Sequence, residues 1–279
     1  MFKKGIILAG GLGTRLYPLT KIISKQLLPV YDKPMIYYPL SVLMKLKIKE
    51  INIISDKINI FKYKELFGDG KRLGINIIYS TQKKPKGIAQ SILISEKFID
   101  KSSCVLILGD NLFFGKTFDK TIIKASRKNM STIFLKKVSN PNRYGVAKIE
   151  NKKLTQIIEK PKKYISNLAV TGLYFYTNDV VRNVKKINFS KRGELEITDL
   201  NNLFIKQSKM QAKILNKEVK WFDAGTFDSL LEASKKISKF QKDNKTKIGH
   251  LEEIALKNRW IKKKDIKELM KKYTNNLYF

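Results

Sequence analysis

The sequence predicts an α/β fold, a three-layer α/β/α arrangement around a mixed, mostly parallel sheet. Short β-branched apolar runs alternate with helical patterns along the chain. Runs such as Ile6-Ile7-Leu8-Ala9 are continuously apolar, as strands buried on both faces are. Amphipathic stretches such as Pro34–Leu46 and Ala89–Ile99 fill the intervals, placing helices on both faces of the sheet.

Taken in order, Gly5–Ala9, Ile51–Ser55, Ile75–Tyr79 and Val105–Leu108 are the strands expected in the parallel part. Thr132–Val138, Gly145–Ile149 and Leu173–Tyr176 lie in a middle region that reads as hairpins with charged turns, for example Glu150-Asn151-Lys152-Lys153. Gln211–Leu215 is a further strand. A polar stretch, Gln241–Gly249, then separates the body from a last helical segment. There Ile254, Trp260, Ile261, Ile266 and Leu269 form an apolar stripe, expected to pack internally or between subunits rather than to hold a cofactor. No internal repeat is visible.

The length of 279 residues and hydrophobic content of 43% suit one large domain, or one domain with a small appendage. No stretch approaches the roughly 18 apolar residues of a membrane span, so no membrane association is expected. Lys3 and Lys4 before an apolar run imitate a secretion signal, but the run is short, glycine-rich and lacks a fitting cleavage site. Cys104, the one cysteine, sits in an apolar strand and reads as a packed core thiol. It can form no internal disulfide, which is compatible with a reducing cytoplasm. The formal charge of +33 comes from 50 Lys and 7 Arg scattered over nearly every element. Base-reading proteins favour Arg and cluster it on one face, so no specific nucleic-acid partner is expected.

Behind the first strand stands Gly10-Gly11-Leu12-Gly13-Thr14-Arg15. Glycines permit positive φ and close approach, so backbone N–H groups can wrap a di- or triphosphate. The P-loop pattern is absent, and Leu16 occupies the third-glycine place of a dinucleotide fingerprint. A glycine loop alone is equally a tight turn. Arg15 adds a forked cation beside it and Lys25 a second one, a pair suited to holding a triphosphate and stabilising departing pyrophosphate. Asp110 follows the strand Val105–Leu108 at its carboxyl end, where open α/β sheets bind ligands, and a carboxylate there suits Mg²⁺.

Further blocks accompany the loop. They are Ser24-Lys25-Gln26-Leu27-Leu28-Pro29-Val30-Tyr31-Asp32-Lys33-Pro34, Leu108-Gly109-Asp110-Asn111, Arg143-Tyr144-Gly145-Val146, Glu159-Lys160-Pro161, Arg192-Gly193-Glu194-Leu195-Glu196-Ile197-Thr198-Asp199 and Trp221-Phe222-Asp223-Ala224-Gly225-Thr226. Together, over nearly the whole chain and in order, they resemble the glucose-1-phosphate thymidylyltransferase family. The resemblance implies a Rossmann-like nucleotidyltransferase fold, with residues 1–240 as catalytic domain. Residues 241–279 would be a C-terminal helical segment packed on it as part of the same domain. It implies Mg²⁺-dependent transfer of a thymidylyl group from dTTP to glucose 1-phosphate, towards dTDP-rhamnose and other deoxysugars, by a cytoplasmic homotetramer.

Residue by residue, the resemblance makes Arg15, Lys25, Asp110 and Asp223 catalytic, with Asp110 and Asp223 as metal ligands. Gly10, Gly11, Gly13, Thr14, Arg15, Lys25, Gln82 and Gly87 would bind dTTP. A Gln82 amide both donates and accepts, as pairing with the O4 and N3–H edge of a pyrimidine requires. Gly145, Glu159 and Val170 would contact the sugar and Lys160 and Arg192 its phosphate, with Asn111 near one or the other. Thr198 or Asp199 also reads as a helix N-cap. Lys86 stands where the family usually has Asp. The attacking phosphate oxygen is already anionic, so no general base is assigned, and His250, the one histidine, is expected at the surface. Competing readings are a UTP-dependent or other-sugar transferase, a sugar-nucleotide sensor, and a basic nucleic-acid-binding protein.

Overall fold

A computed structural model describes residues 2–11, 13–128, 130–272 and 278, the side chains of 269 and 272 excepted. Leu12 of the glycine loop and the Leu269 side chain of the C-terminal stripe therefore lie outside the described residues.

Strand β1 (Lys4–Leu8) leads through the glycine loop and three short 3-10 turns to the hairpin of β2 (Pro29–Val30) and β3 (Lys33–Pro34). There follow α1 (Tyr37–Lys45), β4 (Glu50–Ser55), α2 (Ile60–Phe67), β5 (Asn76–Thr81), α3 (Gln90–Ile94), α4 (Glu96–Ile99) and β6 (Cys104–Leu108). Next come β7 (Asn111–Phe114), α5 (Phe118–Ser126), β8 (Ser131–Lys137), β9 (Gly145–Glu150), β10 (Lys153–Glu159) and β11 (Leu168–Tyr176). The chain continues through α6 (Val180–Val184), α7 (Ile197–Lys206), β12 (Met210–Leu215) and β13 (Lys220–Asp223). It ends with α8 (Phe227–Asn244), α9 (Leu251–Lys257) and α10 (Lys263–Lys272).

The main sheet is mixed and nine-stranded, in the order β10-β9-β11-β6-β1-β4-β5, with β8 joined to β11 and β12 to β8. Strands β6, β1, β4 and β5 run parallel, and β11 enters antiparallel beside β6. Alternate residues of one strand face opposite sides. Ile7, Ile53, Ile107 and Phe175 pack into a core with α1, α2, α5 and α9, while Ile6, Ile54, Leu106 and Tyr174 pack into another with α3, α6 and α7. Burial on both faces explains the uninterrupted apolar runs, each such side chain contributing roughly 1.5–3 kcal/mol. A third cluster, including Val30, Leu112, Phe114 and Ile237, seats α8 against the small β7–β13 ladder. Cys104 is fully buried, as expected for a core thiol.

Several sequence expectations are corrected. Strand β11 begins at Leu168 rather than Leu173, because Gly172 continues the strand where the Asn111 side chain lies against it. The 89–99 helix is two short helices, Gln90–Ile94 and Glu96–Ile99, that meet at Ser95, whose hydroxyl accepts from Asn52. Helix α8 runs unbroken across residue 240 to Asn244, so only the latter part of the polar stretch Gln241–Gly249 is a connection. His250 is buried, not surface: it is 6% exposed, its Nδ1 accepts from the N–H of Glu253 as the N-cap of α9, and its ring stacks on Tyr278. The cap of α7 is Glu196, leaving Thr198 free for another use. In the C-terminal stripe, Ile254, Trp260 and Ile261 pack inward on the first core, Trp260 against Gly74.

Candidate active site

The glycine loop is framed by its neighbours in the sheet. The N–H of Ala9 donates to the Ile54 carbonyl at 2.7 Å, and that of Gly109 to the Leu8 carbonyl at 2.9 Å. The loop thus opens at the carboxyl edge of the parallel strands, between β4 and β6. Gly11 and Gly13 take φ of 118° and 59°, a region that L side chains rarely adopt. Nothing approaches within 4 Å of where a Gly11 β-carbon would be, so this face of the loop is open to a ligand. Gly10 instead meets Gln82, whose Oε1 would be 2.6 Å from a β-carbon there. Thr20 donates to the Gly13 carbonyl at 3.0 Å and fixes the turn that carries Thr14 and Arg15.

Two carboxylates meet beside this loop. Asp110 follows β6, and the antiparallel register of β7 and β13 sets Asp223 opposite Asn111. Asn111 brackets the pair: its Oδ1 accepts from the Gly172 N–H at 2.9 Å and the Trp221 indole at 2.7 Å, and its Nδ2 donates to Asp110 at 2.9 Å. Lys25 reaches Asp110 with its ammonium at 2.7 Å. Burial alone would raise the Asp110 carboxyl, but Lys25 and the Asn111 amide outweigh it and hold it below its ordinary value. Asp223 is displaced the other way, raised by burial and by the charge of Asp110. Arg15 comes across to the same point, its guanidinium lying against Gly225, where a β-carbon would be 2.9 Å from it. Thr226 and Ser229 close a reciprocal capping box that starts α8 just behind.

Two cavities adjoin this centre. One, of about 300 Å³, is lined by Gly10, Gly11, Lys25 and Gln82 with residues of the 20–24 and 56–59 segments. The other, of about 250 Å³, collects Arg15, Asp110, Asn111, Gly145, Glu159, Lys160, Val170, Arg192 and Asp223. The ion pair Lys25–Asp110 spans them, one partner lining each. Gly13, Thr14 and Gly87 line neither cavity. Gly13 and Thr14 shape the turn that presents Arg15. Gly87, with φ of 94°, packs on the Leu195 backbone, 2.3 Å from a would-be β-carbon.

In the second cavity the side chains hold one another. Glu159 ends β10 and accepts from the Thr198 hydroxyl at 2.6 Å. Arg192 is gripped by Glu196 at 2.9 Å through both oxygens, with Glu159 and Glu194 each 3.7 Å away. Lys160 takes φ of 42°, a strained backbone of the kind found where a side chain must be aimed at a ligand. Among the further lining residues, sequence reasoning assigned no role to Arg143, Tyr144 and Trp221 and read Thr198 only as a helix cap. All four lie inside the quoted sequence blocks, so the blocks were the available signal.

The donor set fits a hard cation. Asp110 and Asp223 supply oxygen only, and no cluster of three or more His, Cys, Asp or Glu able to hold a metal occurs among the described residues. A pair of carboxylates, leaving the remaining positions to phosphate and water, is how Mg²⁺ is commonly held.

A family model described as nucleotidyl transferase matches residues 4–239. The glucose-1-phosphate thymidylyltransferase of Neisseria meningitidis serogroup A is 46% identical over 99% of this chain and 96% of its own. The chain belongs to the glucose-1-phosphate thymidylyltransferase family of nucleotidyl transferases. Among solved structures of similar fold, a Bacillus anthracis protein described as a glucose-1-phosphate thymidylyltransferase, in complex with sucrose, has TM-score 0.77 and 40% identity. That match covers 84% of this chain and 94% of the other. A UDP-glucose pyrophosphorylase complexed with UDP-glucose also has TM-score 0.77, at 26% identity over 86% of this chain and 99% of the other. The family expectation and the α/β nucleotidyltransferase fold read from the sequence are thus borne out, with nucleotide and sugar phosphate as the substrate classes.

Proposed function

We propose that this chain transfers the thymidylyl group of dTTP to glucose 1-phosphate, releasing pyrophosphate and forming dTDP-glucose. The observation that carries the reading is the Lys25–Asp110 ion pair standing between a glycine-lined cavity and a cavity holding Glu159, Lys160 and Arg192. The 46% identity to a named thymidylyltransferase over nearly the full length of both chains supports it.

A phosphate oxygen of glucose 1-phosphate attacks the α-phosphorus of dTTP, forming one P–O bond as the bond to the bridging β-oxygen breaks. The nucleophile is anionic at neutral pH, so positioning and charge neutralisation do the work. Lys160 and Arg192 hold the sugar phosphate, and Glu159, oriented by Thr198, accepts from sugar hydroxyls. Arg15 and Lys25 neutralise the charge that moves onto pyrophosphate. Asp110 and Asp223 would hold Mg²⁺, which supplies charge neutralisation at the phosphates when bound. Gln82, which lies beside Gly10, would pair with the base.

The fold match to the UDP-glucose enzyme favours UTP as a second nucleotide. Uracil lacks one methyl of thymine, worth about 1–3 kcal/mol in an apolar pocket. The same reading makes the protein a cytoplasmic homotetramer of 32.3 kDa subunits, which its mass in solution checks. No helix among the described residues is long and apolar enough to cross a membrane. The functional test is pyrophosphate release across a matrix of nucleoside triphosphates and sugar phosphates. Release is expected to be strongest for dTTP with glucose 1-phosphate, and no release with any pair would overturn the reading.

A further inference from the structure

Behind Gln82, which lines the first cavity, stands a hydrogen-bond relay through Gln90 and Lys86, which lie outside its lining. The backbone N–H of Lys86 lies 3.0 Å from a terminal atom of the Gln90 side chain, and that same atom lies 2.7 Å from a terminal atom of Gln82. A backbone N–H can only donate, so the Gln90 atom it meets is the carbonyl oxygen Oε1. An amide oxygen can only accept, so the Gln82 atom facing it is the nitrogen Nε2. A main-chain group of fixed identity thereby decides, through Gln90, which way the Gln82 amide is turned. Gln82 Oε1 is left beside Gly10 of the glycine loop, 2.6 Å from where a β-carbon would stand.

The relay is mounted on fixed elements. Gln82 is only 5% exposed, and its backbone N–H donates to the Ser55 carbonyl at the end of β4 at 2.8 Å. Gln90 opens α3 directly after the buried Ala89, and Ile92 anchors that helix in the core. The Lys86 carbonyl accepts from the Leu195 N–H at 2.8 Å, so the donor that sets the relay is itself held.

From this geometry we infer that Gln90 is a specificity-determining positioning residue, resting on the reading of this cavity as the base pocket. It keeps the Gln82 oxygen toward the base, so the site takes a pyrimidine with an N3–H donor, as thymine and uracil have. Cytosine carries a bare acceptor at N3 and meets oxygen against nitrogen, lone pair against lone pair. A Gln82 amide released from Gln90 can turn over and offer N–H at the same place, which removes this discrimination.

Steady-state kinetics of the full chain with dTTP and dCTP, at saturating glucose 1-phosphate, test the inference on Q90M, Q90E and Q82M. Q90M is expected to raise the KM for dTTP and to lower the dTTP-over-dCTP ratio of kcat/KM by roughly tenfold, the worth of one well-placed hydrogen bond. The KM for glucose 1-phosphate, measured separately at saturating dTTP, should not move. In Q90E a carboxylate can only accept, so the preference for dTTP is retained. Wild-type selectivity in Q90M, or equal loss in Q90M and Q90E, overturns the inference. Should Q90M not fold, Q90A carries the same prediction. An impaired Q82M beside a normal Q90M refutes the role of Gln90 alone. An unchanged KM for dTTP in Q82M removes the base-pocket reading and this inference with it.

Discussion

At the nucleotide end of the cleft, part of the surface that would face a ligand is main chain: Gly10 and Gly11 on a loop shaped by the positive φ of Gly11 and Gly13 and by the Gly13–Thr20 contact. At the sugar end it is side chains: Glu159 and Lys160 at the end of β10, Thr198 from α7 bound to Glu159, and Arg192 held among Glu159, Glu194 and Glu196. The difference follows from what each end meets. A triphosphate is recognised by N–H groups and charge, which a single loop supplies. A sugar is recognised by hydroxyl geometry, which needs directed acceptors from several places. Asp110 and Asp223 sit where the two designs join.

The largest effect is expected at that junction. Asp110→Asn and Asp223→Asn should each lower kcat by about 10²–10³-fold, on the scale of other losses of transition-state charge stabilisation. Circular dichroism and melting should show a folded protein, and activity within tenfold of wild type in both would refute the metal assignment.

The two ends should then fail differently. Gly10→Ala places a β-carbon against Gln82 and is expected to raise the KM for dTTP roughly tenfold, leaving that for glucose 1-phosphate unchanged. Arg192→Lys keeps the charge but loses the fork now shared with Glu196, and should raise the KM for glucose 1-phosphate by a similar factor, leaving dTTP unaffected. If both substitutions moved both KM values equally, the division into a backbone end and a side-chain end would be wrong.

That division also explains what the sequence could reveal. The glycine loop with Arg15 is contiguous, so its phosphate-binding character is readable from local residue types, as are the strands buried on both faces. The β7–β13 register is not readable, and without it nothing in the residues brings Asp223 to Asp110. Only resemblance paired them. Strand β10 went unseen because it is an edge strand with polar, largely exposed positions such as Thr155 and Gln156. His250 looked like a surface residue because it follows the polar stretch Gln241–Gly249, yet the turn into α9 buries it as a cap. Thr198 was read as a cap on local grounds, and the fold instead turns it to Glu159.

Smaller effects lie away from the cleft. Burial pushes the Cys104 thiol up to about 12, because an apolar core disfavours the thiolate. The folded protein should therefore resist thiol-modifying reagents at mildly alkaline pH and react on unfolding, and rapid reaction in the native state would contradict that burial. At Asp179, burial would raise the carboxyl, but Lys209 and Thr177 outweigh it and lower it from its ordinary 3.8. Its contribution to stability is then complete above the unfolded value and lost as pH falls through the folded one. Asp179→Asn should destabilise the protein slightly near neutrality, with the difference from wild type shrinking in acid. A difference that instead grew toward low pH would reverse the assigned sign.

The central claim is that the cleft moves a thymidylyl group, with its α-phosphorus, from one bound substrate to the other. Incubation of the protein with dTTP labelled at the α-phosphorus, glucose 1-phosphate and Mg²⁺, followed by chromatographic separation, tests it most directly. The label should move into dTDP-glucose in step with unlabelled pyrophosphate release, one for one. Label appearing instead in free dTMP or dTDP, or remaining in dTTP while the protein is folded, would contradict the account.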